Sequence, residues 1–339
     1  MRTVFLKKIC NVVAAAAVGL SCSSFALAQE VSGKLGHSMP PDHPQAVAMV
    51  KFSELVGQYT QNRVKIQVFP SAGLGSDDKM LQATQSGTQE VYYGAYAAIA
   101  GSVKELGIFD FPFLFENMKE VDTVMNGKMG QKVFDKMLPL GLVGLGWTEA
   151  GFRNLTNSKH PVKTADDIAG LKIRVMPNKV ALDTWKALGA NPTPMAFSEI
   201  FTALEIKAID AEENPLILIY TNKFHEVNKY ITVTNHVYTP CGIVVNKKFW
   251  DKIKPEDQQA MKKAGLESLK FHRGLMDAAN KDVIAKLEAA GAKIEILPPV
   301  EVNKLREKTK PVIDTYTKLI GEDFVKEFYA EIQKVRAAK

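Results

Sequence analysis

Short apolar runs with the two-residue period of strands alternate along this chain with longer stretches of helical period, and that alternation constrains the fold more than any other feature. Residues 34–39 (KLGHSM) read as a strand, and 44–60 (PQAVAMVKFSELVGQYT) carry apolar residues at three and four spacing. Residues 63–70 (RVKIQVFP) then place Val64, Ile66 and Val68 on one face before Pro70 stops the run. Residues 76–87 (SDDKMLQATQSG) offer Ser76 as a helix cap, acids in the first turn and Gly87 as the stop. Strand character returns in 90–99 (EVYYGAYAAI) and 141–147 (GLVGLGW), on either side of a helix over 129–140. The pattern begins again at 170–177 (GLKIRVMP), with a helix over 178–189 and strand character within 229–246, so a second sheet with its own helices is predicted. Residues 255–291 form a helical stretch long enough to cross from one sheet to the other. The fold class is therefore α/β, with mainly parallel sheets flanked by helices.

The first 28 residues stand apart. Arg2, Lys7 and Lys8 precede the apolar residues 9–20, and Ala26 and Ala28 supply the small residues of a cleavage site, which predicts a secretory signal peptide over 1–28. Cys22 would suit a lipid anchor, but Gly19 stands where a larger aliphatic residue is expected, so cleavage after Ala28 is the reading adopted. Cleavage removes three of the 43 basic residues and none of the 37 acidic ones, leaving a charge of +3 that is too small and scattered to suggest nucleic acid. It also removes Cys10 and Cys22. Cys241 alone remains, a disulfide framework is excluded, and stability has to come from packed cores. No later stretch approaches the roughly eighteen consecutive apolar residues of a membrane helix, so a soluble periplasmic protein is expected.

Chemistry concentrates at strand ends. In 170–177, Ile173 and Val175 share one face while Lys172, Arg174 and Met176 share the other, and Arg174 stands at the carboxyl edge, where open α/β sheets bind ligands. A guanidinium matches a carboxylate with two parallel hydrogen bonds, so Arg174 reads either as an anion clamp or as a residue in an ordinary surface ion pair. Arg153 and Trp147 lie near the end of the preceding strand. Asn214 precedes Pro215, which restricts it to extended backbone and fixes the direction of its amide, unless it merely caps a turn. Tyr93 and Tyr96 flank Gly94, Phe197 follows PTPMA and Tyr238 precedes Pro240; such aromatics either fill a core or enclose a ligand's carbon skeleton.

Catalytic patterns are weak. His37, Asp42 and His43 fall in a proline-rich loop without the helical spacing of zinc enzymes, and there is no nucleophile elbow, phosphate loop or dinucleotide fingerprint. No enzyme activity, metal or cofactor is expected.

Five collinear segments carry a resemblance: 151–158 (GFRNLTNS), 170–177 (GLKIRVMP), 187–205 (ALGANPTPMAFSEIFTALE), 210–216 (DAEENPL) and 223–236 (KFHEVNKYITVTNH). With 70–87 (PSAGLGSDDKMLQATQSG) in the amino-terminal half, they resemble the solute-binding proteins of tripartite ATP-independent periplasmic (TRAP) transporters, the DctP family of C4-dicarboxylate-binding receptors. The resemblance implies a two-lobed receptor that closes on an organic acid and delivers it to the small and large membrane subunits of a permease. It implies lobe I over 29–151 and about 240–280, lobe II over 152–239 and about 281–339, and a monomer. Arg174 takes the role of the family's carboxylate-pairing arginine, and Arg153, Asn214 and Phe197 fall on cleft positions. By position, His37, Ser38, Tyr93, Tyr96 and Asp77 belong to the amino-terminal side, with Trp147 and Tyr238 as further candidates. The chain departs from the family pattern where DAEENP stands for DGQENP, with Ala211 for glycine and Glu212 for an amide, and where Ala95 stands for the glutamate of sialic-acid binders. A periplasmic carboxylate sensor feeding a signalling protein is the alternative, and a secreted hydrolase the remote one.

Overall fold

The computed structural model describes residues 30–338, so the expected signal peptide lies outside the described residues. Ten strands are present among the described residues: β1 (Val31–Gly36), β2 (Val64–Phe69), β3 (Val91–Ala95), β4 (Leu142–Asn157), β5 (Lys172–Val175), β6 (Asn191–Pro194), β7 (Ala211–Pro215), β8 (Tyr230–Val233), β9 (Tyr238–Asn246) and β10 (Lys293–Ile296). Their order is β2-β1-β3-β9-β4-β7-β5-β6, with β8 on β4 and β10 on β8. The outer pairs are parallel, as strand–helix–strand units require, but β9 is antiparallel to both β3 and β4, and β4 is antiparallel to β7 and β8. The sheet is thus mixed. β4 runs through both halves: its first part pairs with β9 and its last residues, Arg153–Asn157, pair with β7.

Local chemistry sets the helices as expected, with two differences. Pro44 begins the helix Pro44–Tyr59, and His43 caps it by accepting the Gln45 amide at Nδ1. The helix Asp77–Ser86 starts with two acids and stops at Gly87, whose φ of 88° is left-handed, but Ser76 makes no side-chain cap bond. Strand character in 90–99 ends at Ala95, and Tyr96–Ile99 turn as a 3₁₀ helix.

Long helices tie the halves together. The helix Pro255–Asn280 buries Met261, Ala264 and Leu269 with the first half of the sheet and Met276 with Ile217 and Ile219 of the second. The helix Pro299–Ile320 places Leu305 in the second half and Val312 and Ile320 in the first. The last helix, Glu322–Ala337, buries Val325, Phe328 and Ile332 beside Tyr92 and Phe109 of the first half. Residues 281–339 therefore do not all stay with the second half, because an amphipathic period shows that a helix covers something without showing which sheet it covers. No helix among the described residues is long and apolar enough to cross a membrane.

A bare patch in the sheet centre explains one packing detail. Gly94 of β3 pairs with Gly242 of β9, and two tyrosines lie across them. A Cβ on Gly94 would come 2.0 Å from the Tyr92 hydroxyl, and one on Gly242 would come 2.1 Å from the Tyr96 hydroxyl and 2.4 Å from the Gly146 carbonyl. Gly242→Ala is therefore expected to lower stability by about 1–3 kcal/mol, as overpacking does. Urea unfolding checks this; an unchanged midpoint would mean that Tyr96 yields freely.

Candidate functional site

The loop after β1, the first turns of Pro44–Tyr59 and Asp77–Ser86, the end of β3, the middle of β4 and the carboxyl edge of β5 converge on a cavity of about 90 Å³. Eight sequence-nominated residues line it: His37, Ser38, Asp77, Tyr93, Arg153, Arg174, Phe197 and Asn214. Three do not. Tyr96 donates to the Gly146 carbonyl at 3.0 Å with its ring 4.4 Å from that of Trp147, and Trp147 stacks on Phe134 at 4.5 Å. Tyr238 packs between Phe115 and Phe152. These three are packing residues of the core, where aromatic area contributes most to stability.

Arg174 sits on β5 with 2% exposure, buried like its neighbours Ile173 and Val175. Its Nε donates to the Met195 carbonyl at 3.0 Å, which fixes the fork, while Nη1 is buried without a partner. Burial and the nearby charge of Arg153 push its pKa down to about 10. An unpartnered guanidinium nitrogen inside a protein is costly, and an anion beside it removes that cost.

Arg153 is engaged differently. Its Nε and Nη2 bind the Glu213 carboxylate, the latter at 2.9 Å, and Nη1 donates to Thr239 Oγ1 at 3.2 Å. His236 Nε2 faces the same carboxylate at 3.1 Å. Burial alone would raise the Glu213 pKa, but Arg153 and His236 outweigh it and hold the carboxyl at about 2. The charge of Arg153 is thereby offset within the protein.

β5 and β7 are parallel with Ile173 opposite Ala211, so Arg174 and Glu212 follow side by side. Glu212 is fully buried; it accepts from Asn214 Nδ2 at 2.5 Å and from Thr156 Oγ1 at 3.3 Å. Burial raises its pKa to about 7, with Asn214 and the arginines pulling the other way. At the far wall, Asp77 accepts from the Tyr92 hydroxyl at 3.1 Å, and burial raises its pKa. His37 accepts the Met39 amide at Nδ1, 3.2 Å, which leaves the proton on Nε2, buried and unpartnered. Burial lowers the His37 pKa to about 4, and the Tyr93 hydroxyl is also buried without a partner.

Sequence reasoning missed Gln45, Tyr92, Asp78, Thr239 and Cys241, which also line the cavity. Gln45 is a buried amide in an apolar helix face and donates to the Glu149 carbonyl at 2.9 Å, a polar exception that the pattern PQAVAMV displays. Among the described residues, no cluster of three or more His, Cys, Asp or Glu side chains could hold a metal ion.

Residues 35–319 match the family described as bacterial extracellular solute-binding protein, family 7 (DctP). The sugar acid binding protein DctPAm of Advenella mimigardefordensis, solved in complex with galactonate, is 38% identical with a TM-score of 0.88, covering 91% of this chain and 99% of that one. A TRAP periplasmic solute-binding protein of Polaromonas sp. JS666, bound to D-erythronate, is 35% identical with a TM-score of 0.85, over 89% and 99%. The C4-dicarboxylate-binding periplasmic protein DctP of Rhodobacter capsulatus is 32% identical over 315 residues, 92% of this chain and 94% of that protein. With matched residues spanning both halves of the fold and the whole cavity, the chain belongs to bacterial extracellular solute-binding protein family 7, the DctP family of solute receptors.

Proposed function

We propose that this protein is the periplasmic receptor of a TRAP transporter, capturing an organic acid by its carboxylate on Arg174 and delivering it to the two membrane subunits of the permease. The observation that carries this reading is the buried Nη1 of Arg174, which has no protein partner and stands on the cavity wall. A carboxylate there satisfies the nitrogen and offsets the charge, and the bond strengthens as water leaves the site. Asn214, Phe197, His37, Ser38 and Tyr93 surround the carbon skeleton. Arg153 acts as a fixed part of the wall, since Glu213 already holds it. The protein works as a monomer without catalysis or cofactor, and residues 1–28 direct its export.

The lobes comprise the first and second halves of the sheet, and they close by bending where β4 and β9 pass between them. A ligand drives closure only by binding the closed form better than the open one. Thermal shift over a panel of dicarboxylates, sugar acids, keto acids, aromatic acids and neutral sugars tests the reading. Stabilisation is expected from acids alone, because a ligand that binds only the folded state raises the melting temperature. Stabilisation by neutral sugars and by none of the acids would overturn it.

A further inference from the structure

The charges on the cavity wall are unequal at its two sides, and this bears on the ligand. Of the two arginines, Arg153 is committed to Glu213, and Arg174 alone presents a nitrogen without a partner. Asp77 and Asp78 also line the cavity, and neither forms an ion pair with Arg174 although both feel its charge. Asp77 accepts from the Tyr92 hydroxyl and lies beside Ser38, and its carboxyl oxygens have further lone pairs to accept more. The other buried, unpartnered polar atoms on the wall, His37 Nε2, Ser38 Oγ, the Tyr93 hydroxyl and Asn178 Nδ2, belong to neutral groups, and burial keeps His37 neutral at periplasmic pH. Among the described residues, the wall therefore offers one unpaired cation and two carboxylates, and its second cation, Arg153, is already paired.

We propose that the cavity selects a hydroxy acid of single negative charge, held by its carboxylate on Arg174 and by a hydroxyl donating to Asp77, and turns dicarboxylates away. This rests on the carboxylate reading and narrows it. A second carboxylate on the ligand would meet Asp77 and Asp78 in a site closed to water, where like charges repel by several kcal/mol. A hydroxyl at the same place donates the hydrogen bond that Asp77 can accept. Asp77 is then the residue that sets the charge and polarity of the ligand, and Asp78 adds to the repulsion.

Matched pairs of acids on one carbon skeleton test this: glycerate against tartronate, erythronate against tartrate, galactonate against galactarate, with deoxy monocarboxylates of each length alongside. Calorimetry on the mature protein should show binding in at least one pair, with the monocarboxylate at least a hundredfold tighter than its dicarboxylate. The deoxy acid should bind more weakly than the hydroxy acid. Asp77→Asn should weaken the hydroxy monocarboxylate and tighten the dicarboxylate at least tenfold, and Asp78→Asn should tighten the dicarboxylate while sparing the monocarboxylate. Circular dichroism confirms that each variant folds, and either variant alone suffices for the dicarboxylate arm. Equal or tighter dicarboxylate binding would overturn the proposal and leave the carboxylate reading standing. So would binding confined to the deoxy acids. Failure of every acid at every length would sink both.

Discussion

Arg174→Ala is expected to weaken carboxylate binding by about 30- to 5,000-fold, while the ligand-free protein becomes more stable. The first half follows from removing one partner of a buried charge pair, which costs about 2–5 kcal/mol. The second half follows from the sign of the pKa shift. The Arg174 pKa falls from its ordinary value to about 10 on folding, so below that pH the folded state holds the charge less readily than the unfolded chain. At about 1.4 kcal/mol per unit, the buried charge costs on the order of 3 kcal/mol when no anion is present. Calorimetry with the preferred acid and thermal melts without it check the two halves together. Affinity within tenfold of the parent would remove Arg174 from its central place, and a large loss of stability would show that its role is structural.

Affinity should also fall steeply as pH rises above 7, and Glu212 should be the cause. Glu212 lies beside Arg174 and is surrounded by Glu213, Arg153, Asn214 and Thr156, with a pKa of about 7. Protonated, it leaves the Arg174 charge whole; ionised, it offsets that charge and repels an incoming anion. A bound carboxylate raises the Glu212 pKa further, so binding takes up a proton, and the dissociation constant climbs by up to about tenfold per pH unit above 7. Between pH 6.5 and 9 this amounts to at most about a hundredfold. Glu212→Gln should abolish the dependence and hold the affinity at its acidic value. The same shift acts on stability: a carboxyl raised from its ordinary value to about 7 stabilises the fold fully below the ordinary value, progressively less up to pH 7, and no further above it. Glu212→Gln should therefore raise the melting temperature at pH 8. Calorimetry in buffers of different ionisation enthalpy counts the proton; no uptake at pH 8 would refute the coupling.

The place of Arg174 was legible in the sequence because strand alternation is a strict geometric rule: Arg174 lies between Ile173 and Val175, so it leaves the face they share, and Pro177 marks the edge. Asn214 before Pro215 was legible for a similar local reason. The state of Arg153 was not. Its partner Glu213 lies 60 residues away and meets it only because β4 pairs with β7, a non-local contact that no local period announces. Tyr96, Trp147 and Tyr238 lie outside the cavity for a related cause. Alternation separates two faces of a strand, but which face meets the cavity depends on the helices that cover the other, and Phe134, Phe109 and Phe115 close over these rings from elsewhere in the chain. The antiparallel centre of the sheet was equally hidden, because β4 and β9 are buried or partly buried along their whole length and carry no sign of direction.

The continuity of β4 reaches beyond the site. Two sheets joined by slack loops could melt one after the other, leaving half the molecule intact and the other half exposed to aggregation. Here the hydrogen-bond ladder that finishes one sheet on β9 continues on the same backbone into the ladder that begins the next on β7. Disruption of either ladder strips support from the other, so the chain is expected to denature as one cooperative unit despite having several cores.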